Sequence, residues 1–340
     1  MGGVREQTLD FRVNLADVVA TLIFATDAAE NLTDSMMAQR VRSIVCIPLR
    51  SHRKSHGETT ILGVLYLDSR LKPGSLSDLD NNLLHSIATD AAALIDNTQL
   101  AIAEENERRY REELNVAAHI QTSLMTAQFP TPAFAAVTAR SVPCRDIGGD
   151  FFLALADDQS LTVAVADISG KGISAAILAS TMQGMLHALL RAHQPLDQIA
   201  SALNSYICEK DVGKYATMAI FCLHSDGSAE YINCGHIPPY ICSRQGAVPL
   251  PESNLPVGLI PGAKFLAANT QLDPGSRLLI VTDGVTEAAD ESGEFFGEER
   301  LAAGASECAS LNDLFVELQA FCQSHPQDDD LTILEVRYTG

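Results

Sequence analysis

Apolar runs and polar loops alternate along the N-terminal third of the chain. Residues 43–49 and 61–68 are apolar, β-rich runs, and a loop that contains His, Lys, Ser and Gly separates them. This arrangement predicts an antiparallel strand pair. From residue 77 to residue 100 the apolar positions recur with a helical period, and Ser77 stands where an N-terminal helix cap is expected.

The predicted helix continues into a charged linker. No Gly or Pro occurs between residues 97 and 125, and residues 104–113 are densely charged. A sparse apolar stripe runs through the linker, with Leu100, Leu114 and Leu124 among its members. Two interpretations stay open: a solvated connecting helix, and a short parallel coiled coil that joins two subunits in a homodimer.

Strand-like and helix-like segments alternate from about residue 133 to the end of the chain. Strands are predicted at residues 151–156, 161–166, 216–223, 229–233, 277–282 and 331–338. Helices are predicted at residues 172–193, 195–209 and 297–323. The chain is therefore expected to belong to the α+β class.

The composition narrows the class of protein. With 340 residues, 46% of them hydrophobic, the chain is long enough for two domains and apolar enough to fold. Its formal net charge of −20 repels nucleic acid and anionic membranes, so neither is expected as a partner. The 8 cysteines form no CxxC pair, no start-proximal run resembles a signal peptide, and no apolar run approaches membrane-spanning length. A cytoplasmic location is expected.

Four aspartates stand at the ends of predicted strands. Asp150 precedes the strand at 151–156, and Asp167 follows the partner strand of that hairpin. If the turn is centred between Asp158 and Gln159, antiparallel pairing places Asp150 directly opposite Asp167. Two like charges in facing positions destabilise a hairpin unless something compensates them, and a metal cation would do so.

A second pair of acids follows the same logic. Asp283 ends the strand at 277–282 and Asp329 lies just before the strand at 331–338, so the two acids meet if these strands are antiparallel neighbours. A site made of carboxylates, carbonyls and water suits Mg²⁺ or Mn²⁺ rather than zinc. The structural alternative is that each acid is a turn residue, because Asp beside Gly is common turn chemistry.

Five motifs occur in the order that is typical of one enzyme family. They are RDIGGDFF at 145–152, DISGKGISAA at 167–176, NCGHIPP at 233–239, TDGVTE at 282–287 and DDDLT at 328–332. Together with AAHIQTSL at 117–124, they resemble the SpoIIE/RsbU branch of the PPM-type phosphatases. The resemblance extends from about residue 117 to the C-terminus.

The resemblance implies an αββα sandwich with two Mn²⁺ or Mg²⁺ ions between its sheets. By position in the motifs, Asp150 would bridge both metals, and Asp167 with the Ile168 carbonyl would bind one of them. Asp283 and Asp329 would bind the other. The resemblance also implies in-line attack by a metal-activated water on phosphoserine or phosphothreonine.

Three further residues bear on this interpretation. Lys171 stands where the family often has His or Met, and Phe152 replaces a frequent Tyr. Neither is a ligand position, so activity is expected to be retained. His236 is either a catalytic acid or a hydrogen-bonded structural histidine, and the structural role is favoured.

The N-terminal pattern resembles the C-terminal part of a GAF domain. The predicted domains are a partial GAF-like sensory domain at 1–98, a helical linker at 99–129 and a phosphatase domain at 130–340. The expected function is metal-dependent dephosphorylation of a phosphoprotein, under the control of the sensory region.

By family analogy, the phosphoprotein substrate is a regulator such as a STAS-type anti-sigma factor antagonist. The alternative is a catalytically silent module that only binds a partner. Retention of all four acids favours activity, because a pseudoenzyme can lose them without penalty.

Overall fold

The computed structural model of the protein describes residues 22–25, 43–55, 58–69, 80–125, 129–243, 245–251, 254–308 and 310–340. The chain divides into two compact units, Met1–Tyr110 and Arg111–Gly340. The division falls inside the segment that was predicted to link the domains. The predicted domain limits at residues 98 and 129 stay predictions.

The described part of the N-terminal unit contains a three-stranded antiparallel sheet of order β1-β2-β3. Its strands are β1 (Leu22–Ala25), β2 (Ser43–Ser55) and β3 (Glu58–Ser69). The pairing of β2 with β3 confirms the predicted strand pair, although both strands are longer than predicted. Alternate residues of β2, beginning with Val45 and Ile47, pack against Leu84 and Ala88 of the following helix.

That helix, α1, is continuous from Asn81 to Met125, which confirms that the predicted helix continues into the charged segment. Ser77, the predicted cap, lies outside the described residues. Asp80 caps the N-terminus of the helix, because its carboxylate accepts a hydrogen bond from the Asn82 N–H at 2.8 Å.

The described part of the C-terminal unit has ten strands and five further helices. The strands are β4 (Ala135–Val142), β5 (Phe151–Ala156), β6 (Ser160–Ile168), β7 (Ala216–His224), β8 (Ser228–Cys234), β9 (Tyr240–Ser243), β10 (Gly246–Pro249), β11 (Ala268–Gln271), β12 (Arg277–Val281) and β13 (Leu331–Tyr338). The helices are α2 (Ile173–Arg191), α3 (Leu196–Lys210), α4 (Asp283–Thr286), α5 (Gly297–Glu307) and α6 (Leu311–Cys322). All six strands predicted for this region are present.

These strands form two five-stranded antiparallel sheets. The first sheet has the order β11-β8-β7-β6-β5, and the second has the order β10-β9-β12-β13-β4. Alternation along each strand sends side chains to opposite faces: Phe151 packs towards α2 and α3, whereas Phe152 packs between the sheets. The outer face of the second sheet packs against α5 and α6. The result is the expected αββα sandwich.

Two predictions for this unit need correction. The single helix predicted at 297–323 is two helices, and the Ser310 hydroxyl caps the second by accepting the Asp313 N–H. The 19-residue helix α2 does reach membrane-spanning length and apolarity, which the sequence reading excluded. Its residues Ala175, Met182 and Leu186 are buried against the first sheet, as in the core helix of a globular protein.

Candidate functional site

The β5–β6 hairpin brings the first two predicted acids to one sheet end. Its register pairs Phe151 with Ala166, so Asp150 stands opposite Asp167, as the centred turn predicted. Asp150 is only 3% exposed. The Ile168 carbonyl lies beside the same loop, because a β-carbon at Gly149 would come within 3.1 Å of it.

The β12–β13 pair brings the other two acids to the adjoining end of the second sheet. The strands are antiparallel neighbours, as predicted, and the Thr282 N–H donates to the Thr332 carbonyl at 3.0 Å. Asp283 begins α4 directly after β12, and Asp329 lies just before β13. A side chain at Gly284 would collide with the Asp330 carbonyl, so only glycine permits this close approach.

Two residues tie the sheets together at this end. The Thr282 hydroxyl, from the second sheet, donates to the Asp150 carboxylate at 2.8 Å. The Asp330 carboxylate accepts the Gly149 N–H at 2.5 Å and the Cys144 N–H at 2.8 Å. The sequence reading assigned no role to Asp330, which is a buried anchor for the loop that leads to Asp150.

The linker helix supplies a third anchor for that loop. The Gln121 amide, buried at the C-terminal end of α1, donates to the Gly148 carbonyl at 2.8 Å, and its oxygen accepts the Gly148 N–H at 3.3 Å. A side-chain amide that makes both bonds to one residue behaves like a neighbouring strand. Gln121 lies in the 117–124 motif that carries the family resemblance, but the helical period alone did not distinguish it from the other polar residues of the helix.

Burial and mutual repulsion perturb the first pair of carboxyl groups. Burial raises the pKa of Asp150 well above its usual value, and the charge of Asp167 raises it further, against hydrogen bonds from Thr332 and Thr282. Burial also raises the pKa of Asp167 to about 7, with the charges of Asp283 and Asp329 as the next causes. The four acids are thus close enough to act on one another.

The second pair of carboxyl groups is less buried. Burial raises the pKa of Asp283, and the charges of Glu287 and Asp329 add to the effect. Asp329 forms an ion pair with Lys171, whose ammonium lies 3.0 Å from the Asp329 carboxylate. Partial burial opposes charging of Lys171, but the hydrogen bond and the attraction of Asp329 raise its pKa.

The donor set fits a hard divalent cation. Four carboxylates and the Ile168 carbonyl are oxygen ligands of the kind that Mg²⁺ and Mn²⁺ prefer. In the part of the chain that the structure describes, no three His, Cys, Asp or Glu side chains already stand in a metal-holding cluster. A bound cation would have to draw the carboxylates together.

An open cavity of about 440 Å³ adjoins the second acid pair. Its walls include Lys171, Gly284 and Asp329, together with Arg140 and His325. The cavity is large enough for a phosphorylated side chain.

His236 is a structural residue and not a proton donor at this site. It is 2% exposed, and its ring shares a 2.8 Å hydrogen bond with the Thr217 hydroxyl through Nδ1. The Asn233 amide bonds to both the N–H and the carbonyl of His236. Burial lowers the pKa of His236 to about 4, so the ring is neutral at pH 7.

Known proteins resemble this chain in sequence and in fold. The family described as Stage II sporulation protein E (SpoIIE) matches residues 157–339. Protein IcfG of Synechocystis is 28% identical over 262 residues, which cover 66% of this chain and 41% of IcfG. The phosphoserine phosphatase RsbU of Bacillus subtilis is 26% identical over 243 residues, which cover 68% of this chain and 71% of RsbU.

A solved structure shares the sandwich fold. The SiaA-PP2C domain of Pseudomonas aeruginosa superposes with a TM-score of 0.61 at 18% identity, over 69% of this chain and 98% of that domain. The SpoIIE match begins at residue 157 and leaves the N-terminal region outside it. With more than half of its residues in that match, the chain belongs to the SpoIIE family of PP2C-type, metal-dependent serine phosphatases.

Proposed function

We propose that this protein removes phosphate from phosphoserine or phosphothreonine on a partner protein, with two divalent cations, Mn²⁺ or Mg²⁺, as cofactors. Asp150, Asp167, Asp283 and Asp329, with the Ile168 carbonyl, are the proposed ligands. The observation that carries the proposal is the convergence of four acid-bearing segments, two from each sheet, at one end of the sandwich. Like charges gathered in this way favour a cation that neutralises them.

The residues of the chain have distinct tasks in this function. Asp150 stands opposite Asp167, and the Thr282 hydroxyl from the second sheet holds its orientation through the 2.8 Å hydrogen bond. Asp330 and Gln121 fix the Gly148–Gly149 backbone, which sets the position of Asp150 in turn. When bound, divalent cations supply Lewis-acid activation of a water nucleophile and neutralise charge on the phosphoryl group.

The substrate is proposed to enter through the 440 Å³ cavity beside Asp329. A phosphorylated regulator of the STAS type, such as an anti-sigma factor antagonist, is the proposed partner, by analogy with RsbU, a phosphoserine phosphatase. A small phosphorylated metabolite would make few contacts in so open a site, which favours a protein substrate whose surface adds contacts around the phosphoserine.

The N-terminal unit is proposed to regulate this activity as a GAF-like sensory region. The helix α1 would transmit the signal, because it runs without a break from Asn81 to Met125 and contacts Gly148 near its end. Apolar side chains along α1, among them Leu94, Ile102 and Tyr110, are more than half exposed, which favours pairing of two copies through this helix. If light scattering shows a monomer at micromolar concentration, the proposed homodimer is contradicted.

Phosphate release from an aryl phosphate and from phosphorylated STAS-type proteins, with and without Mn²⁺, tests the proposed function. Activity is expected to require the metal, and Asp283→Asn is expected to lower it about a thousandfold, because one ligand carboxylate is lost. The matched control is Asp158→Asn, which makes the same change in the exposed turn at the far end of the β5–β6 hairpin.

Calorimetry of the metal-free protein with Mn²⁺ is the companion measurement. Two bound ions per chain are expected for the wild type and for Asp158→Asn. A chain that binds no divalent cation, or an Asp283→Asn variant as active as Asp158→Asn, would contradict the proposed function.

A further inference from the structure

A lysine side chain crosses from one sheet to the other at the acid cluster. Lys171 belongs to the turn that follows β6, between Gly170 and Gly172, which both have positive φ values (82° and 83°). Its ammonium lies 3.0 Å from an oxygen of the Asp329 carboxylate and donates to the Asp328 carbonyl at 2.5 Å. Two bonds from one ammonium therefore hold the segment before β13 to the first sheet.

The ion pair occupies one oxygen of the Asp329 carboxylate, which the proposed function assigns to a cation. An ammonium and a divalent cation compete for the same carboxylate, and the lysine is already attached through its own backbone. The side chains of Lys171 and Asp329 are 34% and 30% exposed, so water reaches both and their separation is possible. An ion pair at this exposure is weak enough to be displaced and strong enough to affect the binding of a competitor.

We propose that Lys171 is a built-in competitor for the divalent cation at Asp329, which it holds until a bound ion displaces it. This inference rests on the proposed function, in which Asp329 is a metal ligand. The chain then binds its second ion more weakly than its carboxylates alone would. Any event that draws the turn after β6 away from Asp329 would strengthen the binding of that ion.

A second lysine, which lies just before β7 and bonds to the same turn, provides a matched control. Lys214 donates to the Ser169 carbonyl at 2.7 Å, and its ammonium would lie 2.9 Å from a β-carbon at Gly170. The hydrogen-bond acceptor of Lys214 is therefore a backbone carbonyl and not a carboxylate of the acid cluster. Loss of the Lys214 charge therefore changes the net charge of the region as much as loss of the Lys171 charge does. It leaves the ion pair between Asp329 and Lys171 intact.

Calorimetric titration of the metal-free full chain with Mn²⁺ at pH 7.5 tests the inference without an activity measurement. Lys171→Met is expected to bind the weaker ion roughly three- to tenfold more tightly than the wild type, since a partly exposed ion pair no longer competes. Lys214→Met and Lys171→Arg are expected to match the wild type in Mn²⁺ binding. In both variants a positively charged side chain still pairs with Asp329. In an Asp329→Asn background, Lys171→Met is expected to have no effect.

The outcomes separate this inference from the function on which it rests. Equal or weaker Mn²⁺ binding by Lys171→Met would overturn the role of Lys171 while the wild type still binds two ions. A similar gain in Lys214→Met would show that net charge alone is responsible, and would also overturn it. A wild type that binds no ion would overturn the proposed function itself. If Lys171→Met fails to fold, Lys171→Gln gives the same comparison.

Discussion

The two acid pairs of the cluster are held in different ways. Asp150 is buried, accepts a hydrogen bond from Thr282, and stands on a loop that Asp330 and Gln121 anchor through its backbone. Asp329 is about one-third exposed, and its carboxylate pairs with the ammonium of Lys171. Asp150 is thus fixed by buried hydrogen bonds, whereas Asp329 is held by a contact that water can reach.

This difference has an energetic consequence. Buried carboxyl groups that repel one another store unfavourable free energy, which an added cation can release. An exposed ion pair stores little, because solvent screens it. Asp150 is therefore held in place at a cost in stability, whereas the ion pair of Asp329 is exchangeable.

Substitution of Asp150 is expected to have the largest effect. Asp150→Asn should lower Mn²⁺-dependent phosphate release by about a thousandfold or more, since it removes one of the proposed metal ligands. The same variant should raise the free energy of unfolding of the metal-free protein by about 1–2 kcal/mol, because a buried repulsive charge is gone. Urea unfolding in a chelator, beside the phosphatase assay, measures both quantities.

Asp329→Asn is the variant that sharpens the contrast. It should also lower activity, but it should leave the metal-free stability unchanged or reduce it by up to about 1 kcal/mol, because it breaks the ion pair with Lys171. Stability changes of the same sign and size in Asp150→Asn and Asp329→Asn would contradict the distinction between a buried and an exchangeable carboxylate.

The anchor at Asp330 is expected to give the largest loss of stability. Asp330→Ala leaves the buried N–H of Gly149 and the partly buried N–H of Cys144 without their acceptor, which should cost about 2–4 kcal/mol of unfolding free energy. The control is Asp328→Ala, because the Asp328 side chain is 81% exposed and should change stability by less than about 0.5 kcal/mol. Equal losses of unfolding free energy in Asp330→Ala and Asp328→Ala would contradict the proposed role of Asp330 as an anchor.

The hydroxyl of Thr282 is expected to contribute less. It donates to Asp150 and accepts the Thr332 N–H at 3.0 Å, so Thr282→Val removes two buried hydrogen bonds at nearly constant volume. A loss of about 1–3 kcal/mol in stability is expected, with a several-fold fall in activity as Asp150 loses its orientation. Thr282→Ser keeps the hydroxyl and should retain most of both properties.

The anchor from the linker helix is expected to have the smallest effect. Gln121→Ala should cost about 1 kcal/mol, since the cavity of about 310 Å³ beside Gln121 can admit water to the Gly148 backbone. Gln121→Glu keeps an acceptor for the Gly148 N–H but loses the donor, so its thermal unfolding should lie between the wild type and Gln121→Ala. An unchanged melting temperature in both variants would show that the helix does not hold the loop.

Local patterns in the sequence were sufficient for the position of the first acid pair. A hairpin with a tight turn has one register, and the centre of the turn at Asp158 and Gln159 fixed Asp150 opposite Asp167. The apolar runs also predicted six of the ten strands described in the C-terminal unit, namely β5, β6, β7, β8, β12 and β13. The short strands β9, β10 and β11 carry only four residues each, too few for a periodic signal, and β4 went unrecognised.

The three consecutive aspartates before β13 have roles that the sequence alone does not predict. Asp328, Asp329 and Asp330 are chemically identical and adjacent, and the motif alone favours Asp329 as the ligand. Their different tasks depend on partners that lie far away in the chain: Lys171 for Asp329, and the Gly149 and Cys144 backbone for Asp330.

The sequence by itself determined most of the strands of the C-terminal unit and the register of the hairpin, because periodicity and turn length are local along the chain. The two-sheet architecture and the family were implied by the order of the motifs, through their resemblance to a known family. Only the tertiary structure decided which carboxylates are buried, which one pairs with a lysine and which one anchors a loop. Burial and ion pairing depend on what the fold brings into contact, and residues more than 150 positions apart in the chain make these contacts.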